Sequence, residues 1–151
     1  MPDAVLDTSH AAPTRANAGF ELAKASQRWN ELLYEEFRRR GFGEVRPSYG
    51  SVLLPLFEED GLRMGELAAR ARLSKQTMTT LIRLMERARL VTREPDPVDG
   101  RASLIRLSER AREFGPVAAE IVAELERTLA ARLEERRYEV FRTALKEAMD
   151  L

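Results

Sequence analysis

Between Ser74 and Arg87 the chain reads SKQTMTTLIRLMER, and two kinds of residue recur in it at spacings of three and four. Gln76, Thr79, Thr80 and Arg83 share one side of a helix, opposite Met78, Leu81, Ile82 and Met85. The polar side is suited to reading nucleic-acid bases. Gln bonds bidentately to adenine and Arg to guanine, while the Thr methyl packs on the thymine methyl and its hydroxyl reaches a base or a phosphate. Ser74 and Lys75 stand at the helix N-terminus, where free N–H groups and the helix dipole favour a phosphate. Thr77 and Arg87 complete the candidate set on this helix.

A merely solvated helix face is the plain alternative, and composition argues against it. Thr is a poor helix former, so Thr77, Thr79 and Thr80 cost a few tenths of a kcal/mol each compared with the Glu and Lys of ordinary surface. Charge points the same way. The formal net charge is zero, yet residues 63–112 hold 12 Lys and Arg against 6 Asp and Glu, so this segment is +6 and the remainder −6. Such asymmetry fits a nucleic-acid footprint, and also an arginine-rich surface laced with internal ion pairs.

The elements that position this helix follow from periodicity. Residues 1–16 are polar, contain Pro2 and Pro13, and are expected to form a mobile tail. Apolar residues at Leu22, Trp29, Leu33 and Phe37 predict a first helix over 17–40, stopped by Gly41. Pro47 opens a second helix to about Glu59, which Pro55 is expected to kink. A short third helix spans Met64 to about Arg72, and Ser74 caps the fourth, 75–88, across a tight turn. Two short helices joined in this way have the layout of a helix-turn-helix.

After Arg89 the period becomes alternating, from Leu90 to Glu94 and from Ala102 to Leu107, around the turn sequence PDPVDGR. That predicts a β-hairpin over 90–107 with Arg101 at its tip. Ser108 caps a fifth helix, which Gly115-Pro116 either kinks or restarts, and a sixth runs from about Tyr138 to Met149. The expected class is mainly α with a small β-hairpin wing, an α+β winged helix-turn-helix. Residues 46–111 form the DNA-binding region, and 17–45 with 112–151 form a helical dimerisation region. The stripes of the first, fifth and sixth helices outrun what the central domain can cover, which predicts a two-fold homodimer.

The segment LSKQTMTTLIRLMERARLVTREPDPVDGRASLIRLSERA resembles the signature region of the MarR family of bacterial transcriptional regulators. Most of the likeness lies in DPVDGRASLIRLS, similar to that family's wing, and ELAARARLSKQTMTTLI resembles its helix-turn-helix. The resemblance implies that the helix from Lys75 enters the major groove and that Arg101 reaches the minor groove. It also implies that Asp99 pairs with Arg101 and shapes the loop, and that Arg93 and Arg106 contact phosphates or form strand-face ion pairs, with phosphate preferred. Its partner would be a pseudo-palindromic duplex operator, and its role that of a ligand-responsive repressor. Three positions depart from the family pattern: Arg89 and Ala111 stand where Gly is common, and Gly100 where Arg is common. Arg89 therefore implies a strained turn or an altered helix exit, and Gly100 one wing charge fewer.

Regulators of this family often take a small aromatic or phenolic ligand between the dimer helices and the DNA-binding lobe. Trp29, Tyr34, Arg46 and Tyr49 are the candidates for such a cleft, although aromatics at helical spacing serve as core more often. An enzyme is disfavoured. The sole histidine, His10, sits in the tail, and adjacent carboxylates such as Glu35-Glu36 diverge on a helix. With no cysteine there is no thiolate nucleophile and no Cys-based metal site, and no metal or cofactor is expected. No signal peptide or span for a membrane is read, so a cytoplasmic protein is expected. The alternative function is a winged-helix protein-interaction module that binds no DNA.

Overall fold

The computed structural model describes residues 12–151, so His10 and most of the expected tail lie outside the described residues. The chain divides into two compact units, residues 1–32 and 33–151, with the boundary inside the first helix. This helix, α1, spans Ala18–Arg39. In the first unit Asn17 caps it, its Oδ1 accepting the Phe20 N–H at 2.9 Å. At the other end Gly41, at φ +87°, reverses the chain and lets Phe42 N–H close on the Phe37 carbonyl at 2.8 Å.

In the second unit a 3-10 turn, Pro47–Tyr49, leads into α2, Gly50–Glu58. The helix continues through Pro55. Then follow α3, Met64–Ala71, and α4, Lys75–Arg87. The Ser74 hydroxyl accepts the Thr77 N–H at 3.1 Å, the cap expected from the sequence. The hairpin is formed by β2, Val91–Pro95, and β3, Ser103–Leu107, and α5 and α6 follow at Glu109–Leu133 and Glu135–Ala148.

Two sequence expectations are refined here. The wing is not a lone hairpin: β1, Leu62–Arg63, adds a third antiparallel strand in the order β1-β3-β2, with Leu62 opposite Ile105 and Val91 opposite Leu107. Two residues are too few to show an alternating period. Of the two outcomes expected at Gly115-Pro116, a kink or a restart, the restart is not found, since α5 runs through it. A Cβ at position 115 would sit 3.2 Å from Phe57 Cε1, so the missing side chain is what lets the α2 ring approach the helix.

The core lies among these elements. Met78, Ile82 and Met85 form the inner face of α4, packed with Leu67 of α3, Val52, Leu53 and Leu56 of α2, and Leu62 and Ile105 of the sheet. Phe37 meets Phe114 of α5 edge to face at a centroid distance of 4.8 Å. By contrast α6 has no buried residue, and Val140, Phe141 and Met149 lie exposed along it. Among the described residues no helix is long and apolar enough to cross a membrane.

Candidate nucleic-acid interface

Burial of the methionine and isoleucine face rotates the rest of α4 outward. Gln76, Thr80, Arg83 and Arg87 are exposed, as are Lys75 and Thr77, while Thr79 is half-buried. Position 79 lies toward α3, and its hydroxyl is 3.4 Å from the Met64 sulfur. The three threonine hydroxyls are all engaged locally. Thr79 Oγ1 donates to the Lys75 carbonyl at 2.8 Å and Thr80 Oγ1 to the Gln76 carbonyl at 3.1 Å, while Thr77 Oγ1 lies 2.9 Å from Ser74 Oγ. Such i−4 bonds keep the hydroxyls against the helix backbone.

The α4 helix ends at Arg89, whose φ of +58° takes it into the left-handed region where the family pattern has glycine. Leu90 N–H then closes on the Met85 carbonyl at 2.9 Å, and the chain enters β2. Arg72 does the same between α3 and α4, at φ +52°. The turns before and after α4 thus each pass through an arginine held where glycine is easier.

At the wing tip the backbone is braced by two aspartates. Asp96 Oδ1 accepts the Val98 N–H at 2.9 Å, and Asp99 Oδ1 accepts the Arg101 N–H at 3.1 Å. Ala102 donates to the Asp99 carbonyl, and Asp96 N–H to the Ala102 carbonyl. Asp99 therefore shapes the loop through the Arg101 backbone rather than its guanidinium, which is left exposed. Asp96 is buried, and its Oδ2 also takes the Arg63 Nε at 2.7 Å. The Val98 N–H and the Arg63 guanidinium hold this carboxyl below the usual aspartate range. Sequence reading passed over both Asp96 and Arg63. The acidic repeat DPVD was the available signal.

Arg93 and Arg106, the two strand arginines, both make ion pairs. Arg93 Nε donates to Glu86 Oε1 on α4 at 2.8 Å, and Arg106 Nε to Glu94 Oε2 on β2 at 2.5 Å. Ion pairing, one of the two roles expected at these positions, is what both arginines show. Gly61, at φ +78°, leaves room for Arg106, since a Cβ there would stand 2.7 Å from its Nη1. Next to it Asp60 accepts the Leu107 N–H and the Arg112 guanidinium, joining the α2 end to β3 and α5.

The pairing pattern across 63–112 separates the cations into two groups. Arg63, Arg70, Arg93, Arg106, Arg110 and Arg112 each pair with a carboxylate, and Arg72 donates to the Met149 carbonyl. Lys75, Arg83, Arg87, Arg89 and Arg101 have no carboxylate partner among the described residues. These five are all on α4, its exit turn or the wing tip. Carboxylate pairing therefore offsets six of the twelve cations of the segment and leaves those of α4, its exit turn and the wing tip unpaired.

The four ligand candidates fall in both compact units. Trp29, half-buried, belongs to the first compact unit. In the second, the Tyr34 hydroxyl donates to the Gly43 carbonyl at 3.1 Å and the Arg46 guanidinium stacks 4.7 Å from its ring centre. Tyr49 is buried in the hydrophobic core.

Residues 47–102 match the model of the MarR family. No curated protein matches the chain. Among solved structures, a probable transcriptional regulator from Pseudomonas aeruginosa superposes with a TM-score of 0.75 at 25% identity, over 88% of this chain and 97% of that one. The PcaV transcriptional regulator from Streptomyces coelicolor, in complex with its natural ligand, gives 0.74 at 22% identity, over 93% and 98%. The S. aureus MepR–DNA complex gives 0.75 at 20% identity, over 89% and 96%. The resemblance read from the helix and the wing is met in two ways: residues 47–102 match the MarR-family model, and the fold is similar to that of solved transcriptional regulators along most of the chain.

Proposed function

We propose that this protein is a sequence-specific, double-stranded-DNA-binding transcriptional regulator that acts as a homodimeric repressor. In this reading α4 enters the major groove, where Gln76, Thr80, Arg83 and Arg87 face base edges, and the wing carries Arg101 to the adjacent minor groove. The observation that carries it is the location of the unpaired cations. Five of them, Lys75, Arg83, Arg87, Arg89 and Arg101, are concentrated on the recognition helix, its exit and the wing tip, while six of the other seven cations of the segment pair with carboxylates. A surface left positive in this way matches the phosphate lattice of a duplex. The likeness to a regulator solved on DNA supports the same reading.

The dimer follows from α6. A helix with no buried residue, carrying exposed Val140, Phe141 and Met149 and an open hollow lined by Leu133, Arg136 and Val140, is suited to a second copy of the chain. Two copies would place their α4 helices on half-sites about one helical turn apart, roughly 34 Å. A small aromatic or phenolic ligand near Tyr34 and Arg46 would change that spacing, in keeping with a shared fold whose PcaV example holds a ligand.

The test is selection of bound duplexes from a random pool, with light scattering to give the mass of the free protein. A recovered inverted repeat and a dimer mass are expected. A monomer that retains no duplex at low ionic strength overturns the reading.

A further inference from the structure

We propose that α4 recognises the 5-methyl group of a thymine through the Thr80 side-chain methyl, with Leu84 extending the contact, and that Thr80 donates no hydrogen bond to a base. The inference rests on the DNA-binding reading above and deepens it. Thr80 is exposed, and it stands among Gln76, Arg83, Leu84 and Arg87 on the outward face of the helix. Its hydroxyl proton is committed to the Gln76 carbonyl at 3.1 Å. That bond selects one χ1 well for a β-branched side chain and turns the oxygen toward the backbone, leaving Cγ2 as the outward substituent.

The neighbouring positions reinforce this. Leu84, one turn further along, is 41% exposed although it belongs to an otherwise strongly polar face. Thr80 and Leu84 at i and i+4 are side by side and make an apolar strip, flanked by the amide of Gln76 and the guanidinium groups of Arg83 and Arg87. In the major groove only thymine presents a methyl, so the strip matches a thymine set among bases read by hydrogen bonds. At the edges of the face, Thr79 donates its hydroxyl to the Lys75 carbonyl in the same way, and Thr77 Oγ1 accepts from the Ser74 hydroxyl.

The experiment uses the full chain and its selected duplex, with each thymine in turn replaced by deoxyuridine, which removes only the methyl. One position in each half-site is expected to weaken binding about fourfold, or about 0.8 kcal/mol, the value of one buried methyl-sized group. Thr80→Ser keeps the hydroxyl bond and loses the methyl, so it should bind the thymine and uracil duplexes equally. Thr80→Val keeps the methyl and loses the hydroxyl, and should retain the discrimination. Circular dichroism melting confirms that both variants are folded. If no position is sensitive to deoxyuridine, or if Thr80→Ser discriminates as the parent does, or if Thr80→Val loses discrimination, the inference is overturned while DNA binding stands. If no duplex binds at low salt, the DNA-binding reading fails and this inference fails with it.

Discussion

The guanidinium of Arg63, on β1, holds the buried carboxylate of Asp96, just beyond β2, with Nε 2.7 Å from Oδ2. Because β3 lies between these two strands, the pair spans the sheet and fixes the base of the wing loop. Asp96 then passes that position to the tip through the Val98 N–H. The wing is thus anchored at its root by a side chain from outside the hairpin.

Asp96→Asn is expected to weaken DNA binding by loosening the wing, with α4 unaffected in base preference. It also carries a pH signature. The Asp96 carboxyl is held below its ordinary value, chiefly by the Val98 N–H and then by Arg63, so the stability it contributes is present above the unfolded aspartate pKa of about 3.9 and is lost as pH falls through the folded value. The stability difference between parent and Asp96→Asn should be constant near neutrality and shrink below about pH 4. Thermal melts across that range check it, and a difference that grows on acidification would contradict the assignment.

Removing the wing cation should act on all sequences alike. Arg101→Ala is expected to lower affinity roughly tenfold and to reduce the slope of log K against log salt by about one. Gln76→Ala should instead alter base preference at one position per half-site. Titrations at several salt concentrations, and a repeated selection with the Gln76 variant, separate the two. An unchanged salt slope for Arg101→Ala would remove the wing from the interface, and uniform weakening by Gln76→Ala would show that Gln76 reads no base.

Arg93 is a cation held in reserve by Glu86. Exposed pairs of this kind contribute about 0–1 kcal/mol, so Glu86→Gln should change the melting temperature little. It frees Arg93 and removes a negative charge beside the groove-facing helix. Affinity for duplex should therefore rise several-fold, with a salt slope steeper by about one. Equal affinity and slope in the variant would place Arg93 away from the DNA.

Arg89 sits at φ +58° at the end of α4. Replacing it by Gly relieves a conformation that costs a side-chain-bearing residue about 1 kcal/mol, and should raise the melting temperature by about 2–4 °C. Because Arg89 is one of the unpaired cations, the same variant should bind duplex more weakly. Stability and affinity moving in opposite directions is the expected result, and melting with binding titration reads both.

Local chemistry was enough to reveal much of this protein. The 3.6-residue period of Met78, Ile82 and Met85 marked the inner face of α4, Ser74 marked its start, and Asp99-Gly100 marked the hairpin turn, because caps, periods and turns are set by residues close in sequence. The departure of Arg89 from glycine left a strained turn or an altered helix exit open, and the backbone there takes the strained, left-handed turn. Pairing between distant residues was not legible. β1 is formed only because β3 offers an edge to Leu62 and Arg63, and its two residues carry no period of their own.

The same division holds at the interface. Residue types placed the DNA-reading candidates on one helix face, but which arginines remain free depends on carboxylates up to tens of residues away, such as Glu44 for Arg110 and Asp96 for Arg63. Tertiary packing likewise buried Tyr49 in the core and turned the Thr80 hydroxyl toward its own backbone. Composition fixes which charges and hydroxyls exist. Only the folded chain decides which are already satisfied, since an ion pair or hydrogen bond depends on distances that sequence separation does not set.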